Sequence, residues 1–433
     1  MPNQINVKSG QLTEKEAQDL YIFLENQSQL GIKYWQKNKR YSVNGKVCTF
    51  TNDMFQREGK DGRYRYEVIS SKELGQGSFG TVNLIKNTVT FDNEQIYFKK
   101  SSKKDGSRRV VKMQYHASPE SFESLESEYQ ISTKATHLAV KKPILIEDKQ
   151  FSLMRMKHLP GQELQSILQD DLTKKRVLTV AERMELTHAL LKALQAQVID
   201  KGIIHRDIKP GNILVDLGPP LLVNIIDYGV SISTPDGNGA GTPIYSAPEI
   251  FTNPINTSPK SDVYSMGRVL ALLWGCNNET YNDKYGAYLF KNLPTHEILK
   301  GLFSRCGKLG KVERDIFDAL ANMLKHNPEE RSDINNAIMA FASIKLEDIY
   351  RSQFHQLYKD IAEKERFSFL RNVGIKGHEN LAEIILHAIK DNNRSRQICV
   401  ELNWLKKNGA LSDTAPQQIV EAYPKFNQDF NLK

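Results

Sequence analysis

Three polar residues in one short loop, Asp207, Lys209 and Asn212 of IIHRDIKPGNILVD at 203–216, constrain this chain more than any other feature. The loop runs directly into a strand-like apolar segment. At this spacing one loop can present a carboxylate to an incoming hydroxyl, an ammonium to a γ-phosphate and an amide oxygen to a metal ion. Asp207 would then accept or steer the substrate proton, Lys209 would neutralise charge on the transferred phosphoryl, and Asn212 would hold Mg²⁺.

A second carboxylate follows in VNIIDYGV, where Asp227 ends an apolar strand and Tyr228 and Gly229 turn the chain away. A strand-end carboxylate followed by glycine can aim its oxygens at a hard cation that bridges phosphates. Upstream, LGQGSFGTV at 74–82 spaces Gly75, Gly77 and Gly80 as GxGxxG. Glycine lets backbone amides approach phosphate oxygens because no Cβ intervenes. The β-branched residues beyond Gly80 continue as a strand, whereas a dinucleotide-binding fold needs a helix there, so the loop is expected between antiparallel strands.

Lys112 lies within the apolar strand RRVVKMQY, where an ammonium is costly to bury unless negative charge meets it. The helical stretch ESLESEYQISTKA offers Glu123, Glu126 and Glu128 as its orienting carboxylate. Glu128 is chosen because Ile131 then falls on the core-facing side of the same helix.

Around these residues the pattern is strand-rich from about 67 to 157, in EVISSKELG, TVNLIKNTVTF, RRVVKMQY and FSLMRM. After 158 it turns mainly helical, as in VAERMELTHALLKALQAQVIDKG with its apolar residues every three or four positions. The expected class is α+β: a small antiparallel β lobe at 67–157 and a larger α lobe at 158–345. An N-terminal extension, 1–66, reads as a helix opened by a Thr13–Glu16 capping box, then a hairpin around Asn44-Gly45. Residues 346–433, with LAEIILHAIKDNN and ICVELNWLKK, read as a helical extension without identifiable chemistry.

Composition excludes several classes. Hydrophobic residues at 39% and charged residues at 25% describe a globular chain rather than a disordered one. No run reaches the roughly 18 apolar residues of a membrane span, and the start has no secretory signal pattern. Cys48, Cys276, Cys306 and Cys399 lie far apart and form no CxxC pair, which fits a reducing cytosol rather than a disulfide framework or a zinc site. The net charge of +8 is spread along the chain, so no nucleic-acid partner is expected. The local exception, KKSSKKDGSRR at 99–109, reads as a solvated hairpin loop, with peripheral contact to acidic lipid as the alternative.

Taken together these residues resemble the eukaryotic-type protein kinase family, in the family's own order. The glycine loop, VVK, HRDIKPGN, DYG, GTPIYSAPE at 241–249, SDVYSMG at 261–267 and Arg331 in NPEERS all match. The resemblance implies a two-lobed fold with ATP bound between the lobes, under a loop of Leu74, Gly75, Gly77, Ser78, Phe79 and Gly80. It implies an adenine sandwiched by Val82 and Val110 above and Leu214 below. KHLPG at 157–161 becomes the hinge, lined by Met156, Lys157 and Leu159. Glu249 is expected to pair with Arg331. The implied cofactors are ATP and Mg²⁺, with Mn²⁺ as a substitute. Lys209 and Thr242 look like the serine/threonine branch, so the expected substrate is a protein hydroxyl.

Several positions depart from the family pattern. Tyr228 replaces the usual Phe, Val110 the usual Ala, and the segment between the glycine loop and Lys112 is longer than usual. Where many such kinases carry an activating phosphorylated residue stands Asn238, with Arg206, Ser231, Ser233 and Thr234 nearby in sequence. Activity is therefore expected not to depend on phosphorylation at the usual place.

Two other readings compete. A kinase-fold scaffold with weak or no catalysis is opposed by the presence of all four of Lys112, Asp207, Asn212 and Asp227. A small-molecule or lipid kinase is opposed by GTPIYSAPE, which resembles a platform for a peptide. The Asn- and Lys-rich chain with unfamiliar flanks also resembles effector kinases that intracellular bacteria deliver into host cells. On that resemblance the flanks would bind a host regulatory protein and the location would be a host cytosol, reached by a specialised route.

Overall fold

The computed structural model describes residues 14–43, 46–77, 80–92, 95–102, 108–116, 120–146, 151–276, 294–306, 309–310 and 312–344. The expected helices of 346–433, Thr13, the Asn44-Gly45 turn, Ser78, Phe79 and Cys399 lie outside the described residues.

Eight strands form one antiparallel sheet. They are β1 (Tyr34–Trp35), β4 (Met54–Glu58), β5 (Tyr64–Gly77), β6 (Gly80–Asp92), β7 (Gln95–Lys100), β8 (Arg109–Tyr115), β9 (Ile144–Ile146) and β10 (Phe151–Lys157). The order is β1-β4-β5-β6-β8-β10-β9, with β7 paired to β6. The hairpin read from the sequence forms as β2 (Arg40–Val43) against β3 (Lys46–Thr49). A further sheet joins β11 (Gln162–Glu163), β12 (Ile213–Asp216) and β13 (Leu222–Ile225).

Helix α1 (Glu14–Gln29) buries Ala17, Leu20, Phe23 and Leu24, the i, i+3, i+4 stripe of an amphipathic helix. Leu20, Phe23 and Leu24 join Trp35, Cys48, Phe50, Met54, Tyr66 and Val89 in one apolar cluster, with Phe91, Ile96 and Phe98 against it. Each such side chain contributes about 1.5–3 kcal/mol on full burial, enough to bind the N-terminal segment to the sheet. The longer connection before Lys112 contains β7, which pairs along β6 from Gln95 to Lys100 and lends Ile96 and Phe98 to the same cluster. The basic run thus starts in a strand, with Lys99 and Lys100 exposed there, and Arg109 opens β8.

The helices are α2 (Glu120–Lys134), α3 (Leu164–Leu172), α4 (Val180–Gln197), α5 (Glu249–Thr252), α6 (Pro259–Leu273), α7 (Thr295–Ile298), α8 (Val312–Met323) and α9 (Ile334–Ala342). Strands dominate the N-terminal part and helices the C-terminal part, which is the expected α+β class. The chain divides into two compact units. One holds the residues up to Leu164 with Ala193–Thr242 and Ile250–Asp262, and the other holds Gln165–Lys192, Pro243–Glu249 and the chain from Val263.

In the second unit two buried ionic groups stand out. Arg183 and Arg305 share Asp171 at 2.7 and 2.9 Å, and Arg183 also donates to the Leu273 carbonyl. Arg331 grips Glu249 in a bidentate pair at 2.6 and 2.9 Å. It donates further to the Lys325 and His326 carbonyls and lies over the Tyr264 ring.

Candidate active site

All the chemistry-bearing residues read from the sequence lie in the first unit. The glycine loop connects β5 to β6 as an antiparallel hairpin, with Gly75 opposite Val82 and Gly77 opposite Gly80. Gly80 has φ 148°, and a Cβ there would meet the Met113 carbonyl oxygen at 1.9 Å. Only glycine lets β6 lie this close to β8. Leu74 is exposed and Val82 half-buried.

Strand β8 carries Lys112 opposite Val82 on β6 and Met154 on β10. The Lys112 side chain is 10% exposed, and its ammonium meets Glu128 Oε1 at 2.6 Å and Asp227 Oδ1 at 3.0 Å. Glu128 comes from α2, whose turns bury Leu125, Glu128, Ile131 and Ser132. Glu126 faces away and accepts from Gln130 instead. Burial opposes the charge on Lys112, but the two carboxylates outweigh it and hold its pKa above the ordinary lysine value. Burial likewise opposes ionisation of Asp227, and the Lys112 ammonium overrides it, holding that carboxyl below its usual value. Asp227 has φ 64°, a left-handed conformation rare outside glycine, which marks a locally constrained carboxylate.

The loop before β12 is tied together by hydrogen bonds. Asp207 Oδ2 accepts from Asn212 Nδ2 at 2.9 Å and from Lys209 Nζ at 2.8 Å. Asp207 Oδ1 accepts from the Thr242 amide at 2.9 Å and its hydroxyl at 2.6 Å. Lys209 donates to the same hydroxyl at 2.9 Å. Behind the loop, Asp262 on α6 accepts from the His205 and Arg206 amides at 2.7 and 2.9 Å. The His205 ring, fully buried, spans from the Ile226 carbonyl to the Asp207 amide and packs on Tyr228 with 4.8 Å between ring centroids. Burial keeps this imidazole below the ordinary histidine pKa. Tyr228 is itself buried, and the hydroxyl it carries in place of a Phe hydrogen donates to the Gln197 carbonyl at 3.4 Å.

Around the expected nucleotide base, Val110 is buried at 6% and Leu159 at 9% exposure, Met156 and Leu214 are half-buried, and Lys157 is exposed. Gly161, with φ 104°, places backbone where a Cβ would lie 2.5 Å from Val215. The chain at Gly161 therefore lies tightly against β12.

The donor set suits a hard cation carried by a polyphosphate. Asn212 commits its amide nitrogen to Asp207, which leaves its oxygen as the atom it can offer, and Asp227 adds a carboxylate held ionised. Among the described residues no group of three or more His, Cys, Asp or Glu forms a metal cage. One or two protein oxygens, with the remainder from phosphate and water, is the usual arrangement for Mg²⁺ at a nucleotide.

A charge-tuned lysine held by two carboxylates, together with a loop that ties Asp207 to Lys209, Asn212 and Thr242, fits a nucleotide-dependent phosphotransferase of the two-lobed kinase class. The chain belongs to the protein kinase family: the model of the protein kinase domain matches residues 68–340. This family uses ATP with a divalent metal ion and acts on proteins.

Among its relatives is the carbon catabolite-derepressing protein kinase of Saccharomyces cerevisiae, 28% identical over 274 residues, covering 62% of this chain and 38% of that protein. The probable serine/threonine-protein kinase MARK-C of Dictyostelium discoideum is 24% identical over 351 residues, 74% of this chain and 39% of that protein. Calcium-dependent protein kinase 5 of Plasmodium berghei is 26% identical over 307 residues, 69% of this chain and 50% of that protein. The chain thus spans from 38% to 50% of the length of these relatives. No helix among the described residues is long and apolar enough to cross a membrane.

Sequence reasoning missed the direct part of Thr242 in holding Asp207, although GTPIY had been singled out. It also missed Asp236, which bonds Arg206 across the loop. The only sequence signal for Asp236 was a carboxylate two positions before Asn238 in a polar, glycine-containing stretch.

Proposed function

We propose that this chain is a serine/threonine protein kinase that transfers the γ-phosphate of ATP to serine and threonine hydroxyls of a protein substrate. The observation that carries the reading is Lys112 paired with both Glu128 and Asp227, beside Asp207 bonded to Lys209, Asn212 and Thr242. Scaffolds built on this fold have no need to keep such a set complete.

Lys112 binds nucleotide phosphate, oriented by Glu128. Asp227 and Asn212 hold the metal ion, Mg²⁺ or in its place Mn²⁺. When bound, the metal nucleotide supplies the phosphoryl group and offsets the charge that develops on it. Asp207 accepts the proton of the substrate hydroxyl as the new O–P bond forms and the bond to ADP breaks. Lys209 stabilises charge on the transferred group and Thr242 keeps Asp207 aimed. Gly75, Gly77, Ser78, Phe79 and Gly80 cover the phosphates. Leu74, Val82, Val110, Met156, Lys157, Leu159 and Leu214 line the adenine site.

On this reading the catalytic domain spans 67–345, flanked by 1–66 and 346–433. That the flanks dock a host regulator of a delivered bacterial effector in a host cytosol rests on the Asn- and Lys-rich composition and the unfamiliar flanks. The exposed Lys99 and Lys100 would serve a contact with acidic lipid.

The test is incubation of the purified chain with labelled ATP, Mg²⁺ and generic protein substrates beside Asp207→Ala, followed by phosphoamino-acid analysis. Phosphoserine and phosphothreonine that disappear in the variant are expected. Phosphotyrosine alone, or equal transfer by the variant, would overturn the assignment.

A further inference from the structure

Arg206 directly precedes the proposed base and is buried, with φ 65°. Its amide is held by Asp262 at 2.9 Å, and its Nε donates to the Val230 carbonyl at 2.6 Å. Its Nη1 makes two more bonds, to the Asn238 carbonyl and to Asp236 Oδ1, each at 2.9 Å. A buried guanidinium is unfavourable without a counter-charge. Asp262 is already occupied by two backbone amides. Among the described residues, Asp236 is the carboxylate within ion-pair distance of Arg206, whose side chain is 6% exposed against 37% for Asp236.

The stretch from Asp227 to Thr242 is fixed at intervals. Ser231 donates to the His205 carbonyl at 3.1 Å, and Ile232 bridges Ile204 through bonds of 2.8 and 2.9 Å. Residues 233–239 are then exposed throughout. Within that exposed run, Asp236 and Asn238 return the chain to Arg206, four residues before Thr242 reaches Asp207. Asp236 also accepts from the Asn238 amide at 3.0 Å, which closes a tight turn. Slight desolvation opposes its charge, but the Asn238 amide and the Arg206 guanidinium hold its carboxyl below the usual value.

The geometry points to Asp236 as a positioning residue for phosphoryl transfer: a built-in counter-ion to Arg206 that holds the 233–242 segment without a phosphate. The inference rests on the kinase reading and names the group that makes phosphorylation of this segment dispensable. Ser231 is buried and bonded to the chain, so it is not open to modification in the fold. Ser233 and Thr234 are exposed hydroxyls whose phosphorylation the segment does not require.

The experiment uses the full chain, treated with phosphatase and shown by intact mass to carry no phosphate. Wild type, Asp236→Ala, Asp236→Asn and Asp236→Glu are compared for kcat, KM for ATP and melting temperature. Phosphate-free wild type is expected to be active. Loss of the charge-assisted bond in Asp236→Ala and Asp236→Asn is expected to lower kcat about tenfold with KM for ATP within about twofold of wild type. Asp236→Glu is expected to restore most of kcat, because it returns the charge. A merely structural turn would instead be satisfied by the isosteric Asn, which also keeps the test available should the Ala variant fail to fold.

Wild-type kcat in Asp236→Asn would overturn the inference and leave the kinase reading intact, as would phosphate-free wild type that gains activity only on phosphorylation. No transfer by wild type in either phosphorylation state would remove the kinase reading and this inference with it.

Discussion

Thr242 gives both its amide and its hydroxyl to a single oxygen of Asp207, at 2.9 and 2.6 Å. The other oxygen of that carboxylate is held by Asn212 and Lys209 at 2.9 and 2.8 Å. A carboxylate tied at both ends keeps one orientation, which is what proton acceptance in a transition state requires. Thr242→Val keeps the shape and removes the hydroxyl. It is expected to lower kcat about ten- to a hundredfold with KM for ATP little changed, while Thr242→Ser stays near wild type. Steady-state kinetics with a generic protein substrate decide it, and a Val variant as fast as wild type would detach Thr242 from the chemistry.

Lys112 and Glu128 are 10% and 4% exposed, so neither charge can turn to water if its partner is removed. Lys112→Met is expected to lower transfer by about 10²-fold or more, because a preorganised cation is lost from the proposed phosphate site. It is also expected to cost about 3–5 kcal/mol of stability, because Glu128 is left buried without a counter-ion. Lys112→Met/Glu128→Leu should recover the stability and none of the activity. Urea unfolding and transfer assays on the two variants separate the contributions. A double variant no more stable than the single would refute the ionic account.

The bidentate Glu249–Arg331 pair is buried on both sides, with side-chain exposures of 6% and 0%. Arg331→Met should destabilise the second unit by about 3–5 kcal/mol, since Glu249 loses its counter-ion. The shift is read from the denaturant midpoint of the far-ultraviolet signal, and a change under about 1 kcal/mol would contradict a structural role.

Burial holds both His205 and His137 below the ordinary histidine value of 6.5. Each therefore stays neutral in the fold at a pH where the unfolded chain has begun to bind a proton. Below that value the unfolded state carries more protons than the native one, so stability falls as pH falls. Between pH 7 and 5.5 the loss is expected to be at most about 1 kcal/mol per histidine, the limit set by the unfolded chain's own titration. His137, which donates to the Ile225 carbonyl at 2.8 Å, offers the cleaner test. Its Gln variant should lose less stability on acidification than wild type. An identical pH slope in urea titrations of the two proteins would rule this out.

The candidate loop with Asp207, Lys209 and Asn212, the strand-end Asp227, the glycine hairpin and the strand carrying Lys112 were all legible in the sequence. Each is a local pattern: residue type at short spacing sets the turn, and the turn sets which groups can leave it together. The α+β class was legible for the same reason, since the period of apolar residues changes from strand-like to helical along the chain. What stayed open depended on distance. Glu128 was one of three carboxylates on its helix, and only the packing of α2 shows which of them meets Lys112. Strand β1 is two residues long, Tyr34–Trp35, too short to carry a period, yet it joins the large sheet by pairing with β4, with Trp35 buried in the cluster that includes Leu20, Phe23 and Leu24 of α1.

The sequence by itself determined which reactive groups this protein carries and how each is presented by its own turn, because backbone preferences and side-chain chemistry act over a few residues. Only the tertiary structure decided the partnerships across long separations. Lys112 meets Asp227 over 115 residues, Asp207 meets Thr242 over 35, and Arg206 meets Asp236 over 30. Such pairs form when burial of apolar surface elsewhere brings distant segments together, and that sum over the whole core is written in no single stretch of the chain.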